Sequence, residues 1–88
     1  METQNEYQWN FEGICPINGQ SDKYQATLTT SQTVIVEDLL AYCEKQSSVP
    51  TFQEDWTHSL AAKFCGKVTL LCHHRGGVRI LSECDGRV

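Results

Sequence analysis

Eighty-eight residues carrying a formal charge of −4 make one small domain, residues 1–88, and exclude several. A domain this size buries only about 60–65% of its unfolded-chain surface, so assembly with further copies is the expected supplement. With eleven acidic residues against seven basic ones and no Lys/Arg cluster, a broad electrostatic grip on nucleic-acid phosphates by one chain is excluded, leaving local contacts or a surface built by assembly.

No apolar run reaches the length of a membrane span, and the polar start Glu2-Thr3-Gln4-Asn5-Glu6 lacks the basic-then-apolar form of a signal region. A soluble, cytoplasmic protein with no membrane partner is expected. Tyr7-Gln8-Trp9-Asn10-Phe11 alternates aromatic and polar residues, and Tyr24-Gln25-Ala26-Thr27-Leu28-Thr29-Thr30 alternates with β-favouring types. These predict an antiparallel hairpin about the loop Cys15-Pro16-Ile17-Asn18-Gly19-Gln20-Ser21-Asp22. Pro16 fixes its own φ, and Asn18-Gly19 readily supplies positive φ, so Cys15 falls at a strand end and Asp22 just past the turn.

From Thr33 the period changes. Val36, Leu39, Leu40 and Cys43 recur at helical spacing, with Glu37 and Asp38 in the first turn and Lys45 in the last, which predicts a helix of about three turns. Ser47-Ser48-Val49-Pro50 breaks it. Thr51-Phe52-Gln53-Glu54 has the form of a capping box opening a second helix through Trp56, Leu60, Ala61 and Phe64, with Gly66 as its stop. Lys67–His74 then reads as a strand, Arg75-Gly76-Gly77 as a turn and Val78–Cys84 as the returning strand, with Asp85 to Val88 loose. The predicted fold is α+β, ββααββ, a four-stranded antiparallel sheet with two helices on one face. Its two edges would be left unpaired, and closure of neighbouring subunits into a barrel would remove them.

Cysteines are five in number, Cys15, Cys43, Cys65, Cys72 and Cys84, an odd count that predicts free thiols in a reducing compartment. Cys72-His73-His74, with Cys65 and Cys84 near, offers metal-ligating types, but adjacent strand residues point to opposite faces and no metal site is expected. Cys43, Trp9 and Trp56 read as core, Cys65, Cys72 and Cys84 as buried thiols, and His58 as lying on an exposed helix face. Cys15 and Asp22 are a different matter. A thiolate can add to an electrophilic carbon, and a carboxylate at the other end of the same loop can shuttle the proton.

At these residues the chain resembles the 7-cyano-7-deazaguanine reductase family, the nitrile reductases of queuosine biosynthesis. The family signature C-P-x-T-G-Q-P-D is matched at Cys15, Pro16, Gly19, Gln20 and Asp22, with Asn18 and Ser21 departing. Val36-Glu37 resembles the opening of the family's next motif, Phe52-Gln53-Glu54-Asp55 its F-H-E-D, and Arg75-Gly76-Gly77 its R-G-G turn. The resemblance implies the tunnelling fold (T-fold), with subunits closing into barrels, a pentameric ring or a decamer of two rings, and active sites between subunits. It implies that Cys15 attacks a nitrile carbon to form a thioimide and that Asp22 handles the proton. It further implies that Glu37 and Glu54 hold the polar edge of the deazaguanine base, with Phe52 and Gln53 beside it. Read from the residues alone, Glu37 is a helix first-turn charge and Glu54 a capping-box residue.

The departures are equally informative. Where the reductases carry a serine- and lysine-rich run that holds the phosphates of NADPH, this chain continues Asp38-Leu39-Leu40-Ala41-Tyr42, and an aspartate there repels phosphate. Gln53 replaces the family's histidine, and His74 or His73, with Arg75 nearby, is a candidate substitute proton donor or nucleic-acid contact. This pattern resembles the short reductase-like amidinotransferases, which add ammonia to the nitrile of 7-cyano-7-deazaguanine within tRNA to give archaeosine. The expected activity is therefore amidine formation on such a base in tRNA or DNA, with ammonia or ammonium as co-substrate and no cofactor. Two alternatives stand: a reductase that binds NADPH through other residues, and a T-fold protein that binds deazaguanine without reacting.

Overall fold

The aromatic–polar alternation at the start of the chain becomes a strand ten residues long, paired along its whole length with the strand that follows. The computed structural model describes residues 1–87. In chain order the elements are β1 (Asn5–Ile14), β2 (Ser21–Thr30), α1 (Val36–Gln46), α2 (Gln53–Phe64), β3 (Lys67–His73) and β4 (Arg79–Asp85), a one-turn 3₁₀ segment at Arg75–Gly77 joining the last two. The four strands form a single antiparallel sheet in the order β1-β2-β3-β4. β1 and β4 are thus its edges. The strand–strand–helix–helix–strand–strand order is the one predicted.

Register follows the side-chain period of two. On the helix side, β1 and β2 pair Tyr7 with Leu28, Trp9 with Ala26, Phe11 with Tyr24 and Gly13 with Asp22. The next strand continues that face, Tyr24 opposite Cys72, Ala26 opposite Leu70 and Leu28 opposite Val68. Onto it the helices press Leu39, Cys43, Trp56, Leu60, Ala61 and Phe64, which complete the buried core. Each large apolar side chain so buried contributes about 1.5–3 kcal/mol. Trp56, 1% exposed, is a core residue, whereas Trp9 is only partly buried, packed against the core cluster. Phe11 bridges Tyr24 and Trp56 with ring centroids 5.1 and 4.7 Å apart. The indole of Trp56 lies so close to β1 that a Cβ at Gly13 would stand 2.8 Å from Nε1; glycine there is what lets the ring in.

Several local expectations are corrected. Thr51 does not cap α2. Its hydroxyl donates to the Val49 carbonyl and its amide to the Ile14 carbonyl, so Phe52 is the residue preceding the helix and no side chain caps it. The stop of α2 is Cys65, in the left-handed region at φ 50°, rather than Gly66. Asp85 is not loose but closes β4 opposite Lys67. Cys65 and Cys84 are half-buried rather than buried, while Cys72 and Cys43 are buried. Of the apolar stripe on α1, Leu39 and Cys43 face the core, whereas Val36 and Leu40 are about half exposed. Among the described residues no helix is long and apolar enough to cross a membrane.

Candidate functional site

The loop from Cys15 to Gln20 continues the ladder of the hairpin. Cys15 N–H donates to the Gln20 carbonyl at 2.8 Å, and Gly19 N–H to the Cys15 carbonyl at 2.9 Å. Asn18 turns its side chain on the backbone, its Oδ1 accepting from Gln20 N–H at 2.9 Å, the local bond that makes Asn a turn residue. Gly19 alone supplies the positive φ, at 71°. Beside the loop, Thr51 N–H bonds to the Ile14 carbonyl at 3.0 Å and Pro50 bridges to Ile14. This ties the entry to α2 against the end of β1, next to Cys15.

Strand parity decides which side chains meet. Asp22 has the parity of Tyr24 and Ala26, so it extends the helix-side face beyond the core, while Cys15 follows the last residue of β1. Because Tyr24 lies opposite Cys72, one step further out on that face of both strands sets Asp22 across from His74. Ligand atoms of Asp22, Cys72 and His74 accordingly lie within 4.8 Å of one another. Cys72 is buried while Asp22, His74 and Cys15 are half-buried. Burial, and then the charge of Asp22, push the Cys72 thiol up, and a thiolate at Cys15 adds to the shift. The phenol of Tyr24 is pushed well up by burial first and then by the same carboxylate.

Gln53 organises the far side. It is only 5% exposed, and its Nε2 donates to the carbonyls of Leu70 at 3.1 Å and Ile80 at 3.0 Å. Two carbonyl acceptors fix the amide's orientation, so Oε1 is the atom that meets His74 Nε2 at 3.2 Å. An amide oxygen only accepts, hence His74 carries a proton on Nε2 and keeps Nδ1 open. Gln53, expected beside a bound base, spends its amide inside the protein and positions His74.

The remaining candidates lie apart. Glu37 and Glu54 are exposed on the first turns of α1 and α2 and make no hydrogen bond or ion pair among the described residues; Phe52 is about half exposed. Arg75 is exposed in the β3–β4 turn. His73 faces the opposite side of the sheet from His74, and it borders a cleft of about 710 Å³ at this end of the sheet that also touches Phe11, Asp22, Tyr24 and Gln25. Reading the sequence missed Tyr24 and Cys72 as neighbours of the site; pairing of β2 with β3 was the signal that would have found them.

Two β-hairpins forming one antiparallel sheet, with two helices between them in the chain and over one face, define a T-fold domain. In particular the chain is similar to the crystal structure of an archaeosine synthase QueF-Like in the apo form. The TM-score is 0.81 at 17% sequence identity, over all of this chain and 98% of that one. The likeness is one of fold. No family model matches the chain, and no curated protein matches it in sequence.

Proposed function

We propose that the protein adds ammonia to the nitrile of a 7-cyano-7-deazaguanine carried in a nucleic acid, through a covalent thioimide on Cys15. The observation that carries this reading is that Cys15 and Asp22 flank one hairpin loop, Cys15 just after β1 and Asp22 at the start of β2, with His74 beside the carboxylate. Support also comes from the fold shared with an archaeosine synthase and from the absence of the lysine-rich run that holds NADPH phosphates in the reductases the chain resembles.

In this reading Asp22 takes the thiol proton of Cys15 as the sulfur bonds to the nitrile carbon, and returns it to the nitrile nitrogen, giving the thioimide. Ammonia then adds to the thioimide carbon, His74 and Asp22 relay its surplus proton to sulfur, and the carbon–sulfur bond breaks to leave the amidine and a free thiol. Atoms balance without hydride, so no redox cofactor is required. Glu37, Glu54 and Phe52, exposed in a single chain, hold the base when a second copy joins the unpaired β1 or β4 edge; ring closure of several copies assembles the full pocket.

Intact-mass measurement with the free nitrile base tests the chemistry. A stoichiometric adduct is expected on the wild-type protein and none on Cys15→Ala, and ammonium should discharge the adduct as the amidine. Oxidation of NADPH during turnover would transfer the reading to nitrile reduction. Binding of the base with no adduct would make the protein a deazaguanine binder.

A further inference from the structure

We infer that Asp22, Cys72 and His74 form a binding site for a thiophilic divalent cation, Zn²⁺ by its ligand chemistry, seated beside Cys15. One thiolate, one imidazole and one carboxylate are the ligand types that favour zinc over magnesium or calcium. Tetrahedral bonds of about 2.0–2.3 Å hold ligand atoms about 3.3–3.8 Å apart. The three atoms here lie within 4.8 Å of one another, so side-chain adjustment of about 1 Å closes them on an ion.

A second observation, independent of that spacing, is the state of His74. Metal-binding imidazoles almost always donate their other N–H to a fixed acceptor, which sets the tautomer and the ring plane. Gln53 Oε1 is such an acceptor at 3.2 Å, immobilised because Nε2 of the same amide is held by the Leu70 and Ile80 carbonyls. His74 Nδ1 is left with its lone pair to give. Asp22 and Cys72 come from β2 and β3, strands already paired one rung away at Tyr24 and Cys72, so no loop need fold to assemble the set. With three protein ligands, a fourth position stays open to water. Occupancy also withdraws Asp22 from proton transfer, so a bound ion and thiol addition at Cys15 exclude one another. The site itself needs only its ligands and stands whether or not the nitrile chemistry is right.

Cobalt titration of the purified wild-type protein, with no substrate present, is the test. One equivalent of Co²⁺ should give the visible bands of a tetrahedral site together with a thiolate-to-cobalt charge-transfer band, and Zn²⁺ should displace it. Cys72→Ser should abolish the charge-transfer band, His74→Ala and Asp22→Asn should each weaken cobalt binding at least about tenfold, and Cys15→Ala should keep the band. Absence of tetrahedral bands in the wild type at excess cobalt overturns the inference. So does a charge-transfer band unchanged in Cys72→Ser, which would place the ion elsewhere, as at Cys84 and His58, whose Sγ and Nδ1 are 3.9 Å apart. Since adduct formation at Cys15 is measured separately by mass, failure of one result leaves the other standing.

Discussion

Replacing Gln53 by leucine tests the element that joins fold to site. Leucine fills similar space but removes both donors to the Leu70 and Ile80 carbonyls and the acceptor of His74. A buried acceptor left without its donor costs about 1–3 kcal/mol, and because Ile80 is only partly buried the two together cost roughly 2–4 kcal/mol. Burying leucine in place of an amide returns about 1 kcal/mol, leaving a net loss of about 1–3 kcal/mol. In a domain of this size each kcal/mol moves the melting temperature by about 4–8 °C, so Gln53→Leu should melt roughly 5–20 °C lower. The measurement is thermal denaturation followed by circular dichroism at one fixed protein concentration, because assembly shifts the midpoint. Nitrogen-15 spectra of the same variant should show His74 losing its preference for the Nε2–H tautomer. A midpoint within ~2 °C of wild type, with the tautomer unchanged, would refute the assignment of Gln53 as the group that orients His74.

Gly19→Ala places a Cβ in open space but at φ 71°, so its expected cost is the left-handed penalty of about 1–2 kcal/mol, seen as a lower midpoint in urea, with slower adduct formation as Cys15 and Asp22 shift apart. An unchanged midpoint would mean that the loop does not hold this turn. Gly13→Ala forces a carbon to within 2.8 Å of Trp56 Nε1; the expected loss is about 1–3 kcal/mol, accompanied by a change in tryptophan fluorescence, and a silent variant would contradict the packing. Stability should also fall on the alkaline side. Burial raises both Cys43 and Cys72 above the ordinary thiol, so the folded chain holds protons that the unfolded chain has lost. Their contribution is whole below the ordinary thiol value of about 8.5 and declines above it by up to about 1.4 kcal/mol per pH unit for each group. Urea midpoints between pH 7 and 10 should fall accordingly, less so in Cys43→Ser; a flat profile would contradict the burial of these thiols. Alkylation of the native protein at neutral pH, mapped by peptide mass, should mark Cys15 before Cys72 or Cys43.

Much of the fold was legible because its strongest signals are periodic. Alternation at Tyr7–Phe11 and Tyr24–Thr30, and helical spacing at Leu39 and Cys43, survive in the structure because a single large core rewards them. The errors fall where a tertiary partner outbids a local one. Thr51 has the sequence form of a cap, yet Ile14 takes its amide and Val49 its hydroxyl hydrogen. Gly66 looked like the terminator, but Cys65 makes the left-handed turn, while Gly66 is needed where a Cβ would press on Leu28 and the Thr29 carbonyl. Asp85 seemed loose because nothing local shows that Lys67 lies across from it. In each case the missing information was a contact with a residue that local pattern does not identify.

The site divides along the same line. Cys15 and Asp22 flank one hairpin loop, seven residues apart in the chain, so local turn chemistry makes the pair legible. Cys72 and His74 are about fifty residues further on, and the rule that adjacent strand residues face opposite ways separates His73 from both neighbours but leaves Cys72 and His74 on one face. What the rule cannot supply is the partner strand. Once Tyr24 is set opposite Cys72, Asp22 and His74 must meet at the next rung of that face, and a carboxylate, a buried thiol and an imidazole with a fixed tautomer stand together. The acid's surroundings are therefore set by strand register, which brings Cys72 and His74 to Asp22 from a strand that the loop's own sequence does not specify.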